Sequence, residues 1–281
     1  MKKLVVTADD FGMAPEVNEA VERGHREGIL TATSLMVGGV AARDAVTRAR
    51  AMPSLKVGLH IDLTEGRPVL PVTNVPALVN AQGRFHPNMV ASAFNIFLRP
   101  AVRRQMEAEI AAQFEAFAAT GLALDHVNTH MHFHLHPTIS AAILKIGPRY
   151  GMRGLRVPWE SQSVLRKARP AENKRAKAVD RFCAALLHRR MRNSDLAIPD
   201  MVFGTAWTGN MTADHLRALI ASLPDGLVEI YLHPATRDCG FEGAAPGHRY
   251  RDELAALTDP AVIEAAHDPQ IRLGGYSDFA A

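Results

Sequence analysis

Short apolar runs rich in β-branched residues recur along this chain, and helix-like stretches separate them. The runs cover residues 4–8, 31–37, 55–60, 124–129, 154–157, 201–203, 227–232 and 271–273. Residues 15–26 place Val17, Ala20, Val21 and Gly24 at helical spacing, and 41–51, 101–118, 212–223, 252–257 and 260–267 read the same way. Pro137 suits the first turn of a further helix carrying Ile139, Ala142, Ile143 and Ile146. Strands that alternate with helices pair in parallel, because each crossover returns the chain to the same edge of the sheet. Over 281 residues this pattern predicts an α/β fold, a barrel-like (β/α) architecture related to the TIM barrel with seven or eight parallel strands. An open doubly wound sheet is the alternative. The first strand is not followed by G-x-G-x-x-G, which argues against a dinucleotide site.

Two stretches interrupt the alternation. Residues 67–98 hold Pro68, Pro71, Pro76, Gly83 and Pro87 and read as a long loop, which in a compact domain is usually functional. Residues 162–195 read as a basic helical insertion in a single domain spanning 1–281. From Ser163 to Asp195 there are ten Lys or Arg against three Asp or Glu, with Val179, Phe182, Cys183, Leu186 and Leu187 at helical spacing. The 47% hydrophobic content excludes a disordered chain. A formal net charge of +3 is too weak to predict a nucleic-acid partner. Cys183 and Cys239 make neither a disulfide framework nor a zinc-ribbon spacing and fit a reducing compartment. The first apolar run is too short for a signal peptide, and no stretch approaches the roughly 20 apolar residues of a membrane span. A cytoplasmic protein, at most peripheral to the inner membrane, is expected.

Polar residues gather where the strands end. Asp9 and Asp10 follow the first strand, His60 closes the third, His130 follows the fourth and His233 follows a late one. Barrels of this class carry their sites at that rim. Singly, each has a structural reading: an acid after a strand often caps the next helix, and a lone histidine is more often a hydrogen-bonding group than a ligand. Together they offer carboxylate and imidazole groups suited to a divalent metal with open positions for water. His130, His132, His134 and His136 alternate with Met131, Phe133 and Leu135, so an extended backbone would set four imidazoles on one face. Seven extended residues span roughly 20 Å, too far for all four to reach one ion. One or two ligands here, with the rest elsewhere, is the geometric expectation. No G-x-S-x-G is present and neither cysteine lies near a motif, which disfavours serine or thiol nucleophiles.

Several motifs together resemble one family. Thr7-Ala8-Asp9-Asp10-Phe11-Gly12, Gly58-Leu59-His60, Leu63-Thr64-Glu65-Gly66-Arg67-Pro68, the run from Asn128 to Pro137, Leu232-His233-Pro234-Ala235 and Arg272-Leu273-Gly274-Gly275-Tyr276 are similar to the YdjC-like carbohydrate deacetylases. The matches span essentially the whole chain. Residues 14–23 and 66–70 bring the resemblance nearest to the hopanoid-biosynthesis branch, HpnK. The resemblance implies a barrel-like fold, one divalent metal and hydrolysis of an N-acetyl group on an amino sugar. Zinc comes first by ligand type, with magnesium or manganese behind. It assigns Asp10, His60 and His130 to the metal, Asp9 as the base and His233 as proton donor to the leaving amine. Arg156, at the end of the expected fifth strand, is placed to hold a sugar hydroxyl or the acetyl oxygen. His132, His134 and His136 are assigned to loop structure or substrate contact. Where the family often has Asp-Ser-His-His-His, this chain has Asn128-Thr129-His130-Met131-His132, so an imidazole is missing at Met131 while the ligand position is kept. The expected partners are an N-acetylated amino sugar or a glycolipid, with peripheral membrane contact and a homodimer as the assembly considered. A phosphoesterase of related fold and a non-catalytic metal-dependent sugar-binding protein are the other readings.

Overall fold

The first strand is the axis of the molecule. In the computed structural model, which describes residues 1–172, 178–191 and 194–280, β1 (Lys2–Phe11) lies at the middle of a parallel sheet. The other strands are β2 (Ala32–Leu35), β3 (Lys56–Ile61), β4 (Leu124–Thr129), β5 (Met201–Phe203), β6 (Gly226–Leu232) and β7 (Ile271–Leu273), in the order β4-β3-β2-β1-β6-β5. β6 pairs along one edge of β1 from Lys2 to Ala8. On the other edge β7 pairs with Lys2–Leu4 and β2 with the later residues. The helices are α1 (Pro15–Glu27), α2 (Ala42–Arg50), α3 (Met89–Leu98), α4 (Pro100–Ala119), α5 (Pro137–Ile146), α6 (Gln162–Ala168), α7 (Ala178–Met191), α8 (Ala213–Ala221), α9 (Tyr250–Leu257) and α10 (Pro260–Ala266).

Apart from β7, the strands are buried on both faces, and their period of two separates two chemistries. Leu4, Val6 and Ala8 of β1 join Val228, Ile230 and Leu232 of β6 in the main apolar core. The alternate residues face the inside of the curled sheet. There Val5, Ala32, Ala197, Leu227 and Tyr276 form a small apolar floor. Above it the interior is polar: Thr7, Asp9, Ser34, His60, Asn128, Arg156 and Glu229 are all buried.

Seven strands form the sheet, and the run expected as a fifth strand at 154–157 is not one of them. It makes only isolated pairings, Leu155 with Val127 and Gly154 with Ala197. Its function in the fold is nevertheless closure. Arg156 N–H donates to the Val127 carbonyl of β4, and Val202 N–H of β5 donates to the Trp159 carbonyl. Segment 154–159 thereby joins the two edge strands. Pro158 lacks the donor that a regular ladder would need. One further expectation is corrected. The region 67–98 ends in a helix, α3, whose first turn is capped by the Asn88 side chain accepting from Ala91 N–H at 3.0 Å. The basic segment holds α6 and α7; its residues 173–177, 192 and 193 lie outside the described residues.

Two pieces of side-chain chemistry pin the irregular parts. Glu109 of α4 accepts from the main chain of Val69 and Leu70, and Gln113, one turn on, bonds both N–H and carbonyl of Asp62. The C-terminal segment is held by Asp125 of β4, which accepts from Tyr276 N–H at 3.1 Å, Ser277 N–H at 2.8 Å and the His126 ring at 2.9 Å. Burial raises the Asp125 pKa, but His126 and the Ser277 hydrogen bonds bring it down from 3.8 to about 2. A carboxyl depressed by folding contributes stability that is present above its unfolded pKa and lost as pH falls through its folded one. Unfolding free energy should therefore drop between pH 4 and pH 2 by about 2 kcal/mol from this group. Asp125→Asn should remove that portion of the acid dependence in urea melts across this range. An unchanged acid limb would refute the assignment.

Candidate active site

At the C-terminal rim of the sheet three side chains converge. Asp10 leaves β1 in a left-handed conformation, φ 66°, which turns its carboxylate away from the strand's alternation and toward β3. His60 comes from β3, and His130 is the first residue after β4. The Asp10 Oδ1 oxygen lies 3.2 Å from His60 Nε2 and 3.1 Å from His130 Nδ1, and the two nitrogens are 3.4 Å apart. A tetrahedral ion with ligands at about 2.0–2.1 Å sets its donor atoms roughly 3.3 Å from one another. The three residues therefore fit a small divalent metal. Asp10 and His60 are buried, and His130 is partly exposed, so the triad opens on one side. Burial raises the Asp10 pKa, while His130 and His60 pull it well below the carboxylate range. Burial also lowers the His130 pKa, and the Asp10 carboxylate more than reverses that.

The orientation of His60 is fixed from behind. Its Nδ1 meets the Asn128 side-chain oxygen at 2.7 Å, and Ser34 Oγ lies at 3.0 Å. A proton on Nδ1 leaves Nε2 as the free lone pair toward Asp10. The Asn128 amide then donates to Asp9 Oδ1 at 3.0 Å, so one side chain ties His60 to Asp9.

Asp9 faces the interior and is held on four sides. Arg156 donates to Oδ2 at 2.5 Å and to Oδ1 at 2.9 Å, with Ser34 and Asn128 also on Oδ1. Burial raises its pKa, and Arg156, with His60 and His233, reverses the effect and takes it well below the carboxylate range. The same guanidinium makes two bonds to Glu229, at 2.8 and 3.0 Å, and its carbon lies 4.5 Å from the centre of the Tyr231 ring. Glu229 also accepts from Thr7 at 2.6 Å and from the Tyr276 hydroxyl at 2.5 Å. A cleft runs outward from His60 and His130 past Asp62, Glu65 and Arg67.

The profile of the YdjC-like protein family matches residues 3–268. The chain belongs to the YdjC-like family. It is 32% identical to a carbohydrate deacetylase of Brevibacillus brevis over 99% of each chain. It is 31% identical to a carbohydrate deacetylase of Geobacillus stearothermophilus over 98% of this chain and 97% of the relative. Among solved structures, a protein of Enterococcus faecalis provisionally described as a cellobiose-phosphate cleavage protein superposes with a TM-score of 0.77. At 24% identity, covering 100% of this chain and 99% of that one, it shares the fold.

The other residues expected at a YdjC-like site divide into three groups. His233 follows β6; its main-chain N–H is held by Glu253 at 2.5 Å, and its Nδ1 is buried without a hydrogen bond among the described residues. Burial lowers its pKa, against Asp10 and Asp9. The histidine run is not a strand. It turns through left-handed Met131 and His132, φ 55° and 53°, into a short 3-10 segment, His130–Leu135. The ladder with β3 ends at Thr129, so nothing pairs the chain further, and the Thr129 hydroxyl clasps the turn through the His134 N–H and ring. The imidazoles therefore scatter. His132 bonds the Tyr231 hydroxyl at 3.0 Å, His134 is fully buried against the Arg156 carbonyl at 2.8 Å, and His136 packs beside Phe97. Of the three, His134 is the one that is fully buried. Arg156, expected to hold substrate, is fully buried, and its N–H groups engage Asp9 and Glu229.

Sequence reasoning missed Asp62, Asn128, Tyr231, Glu229 and Glu65. Asp62 lies two residues past His60 at the same strand end, and burial pushes its carboxyl up to about 6. Glu65 Oε2 lies 3.7 Å from His130 Nε2. Asp10, Glu65, Met131 and His132 are the non-glycine residues with positive φ among those described; Asp10 belongs to the triad, Glu65 lies beside His130, and Met131 and His132 follow His130 in the chain. Backbone strain of this kind collects where side-chain placement overrides local preference.

Proposed function

We propose that the protein is a metal-dependent carbohydrate N-deacetylase, hydrolysing the acetamide of an amino sugar. The observation that carries this reading is the Asp10–His60–His130 triad with a separately held carboxylate, Asp9, joined to it through Asn128. The similarity to proteins described as carbohydrate deacetylases supports the sugar. Asp10, His60 and His130 would hold the ion, and zinc is the ion this N,N,O set favours. When bound, it lowers the pKa of water to about 7 and polarises a carbonyl. Asp9, ionised throughout the neutral range, takes the proton of the attacking water. Arg156 fixes both oxygens of Asp9, so the base is oriented before substrate arrives. His233 gives a proton to the departing nitrogen, and His132 and His136 stand at the substrate side of the turn. We read residues 1–281 as one domain with 162–195 as an insertion, and place the protein in the cytoplasm. The motifs at 14–23 and 66–70 support the finer reading of an acetylglucosaminyl-type group on a hopanoid lipid, reached by peripheral contact with the inner membrane. No helix among the described residues is long and apolar enough to cross a membrane.

The test is acetate release from a panel of N-acetylglucosamine compounds, with and without chelator. Release that chelation abolishes and zinc restores is the expected result. Release indifferent to chelation would remove the metal from the reading. Cleavage of a phosphodiester with no acetate release would replace it with a phosphoesterase.

A further inference from the structure

The exposed apolar surface of this molecule is concentrated beside the site. In α3, Val90, Phe94, Phe97 and Leu98 are 67%, 63%, 56% and 67% exposed, and Ile96 alone of its ten residues is buried. Ile96 anchors the helix to the main core, with Met89 and Ala93 beside it, and a cleft lined by Leu63, Leu78, Ile96 and Val102 lies beneath. In α7, Val179, Phe182 and Leu186 are 70%, 64% and 52% exposed, while Leu187 and Met191 turn inward. Both helices flank the turn that follows His130. Phe97 packs edge-on against His136, and Leu135 packs on Leu187 and Met191. Met131 of the same turn is itself 58% exposed.

We propose that α3 and the outer face of α7 dock this protein on an anionic phospholipid bilayer, next to the mouth of the site. The inference rests on the site assigned above for its position, and supplies the surface by which that site would meet a bilayer. Three features favour a bilayer over a protein partner. The apolar groups are outward knobs on a convex helix, not a groove that another chain would fill. The sequence of α3 has no charged residue, as a helix lying among acyl chains requires. The rim carries one sign: between Glu65 and Glu107 the chain has five Arg and no Asp or Glu, and Arg99 and Arg104 are exposed at the end of α3. On α7, Arg181, Arg189 and Arg190 are exposed against the single acid Asp180. Cations beside an apolar face are attracted by anionic headgroups, and the attraction is screened by salt.

The test uses the whole chain and sucrose-loaded vesicles of phosphatidylcholine, with or without one quarter phosphatidylglycerol. The protein should co-sediment with the anionic vesicles at low salt, and molar salt should release it. Two double variants, Phe94→Glu with Leu98→Glu and Phe182→Glu with Leu186→Glu, should each lower the bound fraction on the order of tenfold, as loss of one or two inserted side chains predicts. Arg189→Glu with Arg190→Glu is the second route, since it alters only exposed charge and should also weaken binding. Turnover of a soluble acetamido sugar should stay at the parent value in all three. Failure to sediment at low salt, equal sedimentation with neutral vesicles, or variants that bind like the parent would overturn the proposal. So would a parent dimer that the α3 variant dissociates without any vesicle binding, which would make the face a contact between copies. Vesicle binding by a chain that releases no acetate would retire the deacetylase reading and leave the docking surface in place.

Discussion

Replacing Asp9 by Asn should lower acetate release by about 10²–10⁴-fold, the range expected for loss of a general base, while bound metal stays at the parent stoichiometry. Asp10→Asn should lose both. The two carboxylates are neighbours in sequence, yet the backbone sends them apart. Asp9 keeps the strand's alternation and points inward to Arg156 and Ser34. Asp10 takes a left-handed φ of 66° and turns to His60 and His130. An Asn at position 9 still accepts one bond from Arg156, which keeps Glu229 as its second partner, so the fold should tolerate the change. Metal content by elemental analysis and acetate release on the same preparation separate the two roles. Equal metal loss in both variants would merge them, and full activity of Asp9→Asn would end the case for Asp9 as base.

Much of this arrangement is legible in the residues because barrel geometry converts strand ends into neighbours. Asp10, His60 and His130 are far apart in the chain, and the alternation of strands and helices alone predicts a shared rim. What the alternation cannot show is the path of the chain once pairing stops. The histidine run has the period of a strand, but β4 loses its partner at Thr129 and the turn takes Met131 and His132 into left-handed space. Helix α3 hides for a different reason: its residues are apolar nearly all round, so no helical stripe stands out, and only the cap at Asn88 and Pro100 mark its ends. The polar interior had a readable sign that went unused. Thr7, Asp9, Ser34, Asn128 and Glu229 recur inside buried strands at the inward period. An isolated Glu in Leu-Val-Glu-Ile-Tyr-Leu has no exposed face to occupy, so its presence there predicts a buried cationic partner. That partner is Arg156, whose place at a strand end suggested the substrate instead.

The largest stability effect should come from that partner. Arg156→Met leaves Asp9 and Glu229 buried together without their common cation, and breaking a buried pair costs about 3–5 kcal/mol. The cost has a pH signature. In the parent, Asp9 is depressed by Arg156, so its stabilising contribution is present above the ordinary carboxylate pKa and is lost only as pH falls through the lower folded value. Without the guanidinium, burial dominates and raises the folded pKa. Its contribution then holds at low pH and is lost as pH rises through the raised value. Urea melts at pH 5 and pH 8 should therefore show the variant weakened most at pH 8, whereas Asp9 gives the parent no slope between those two values. Arg156→Lys keeps one charge but cannot fork across both carboxylates, so it should fall between the two. Adding Glu229→Gln to Arg156→Met removes one of the orphaned charges and should recover part of the stability at pH 8. It should not recover turnover, because Asp9 stays unheld and largely protonated. A variant as stable as the parent at pH 8, or one whose loss does not depend on pH, would show that this buried network is not held together by charge.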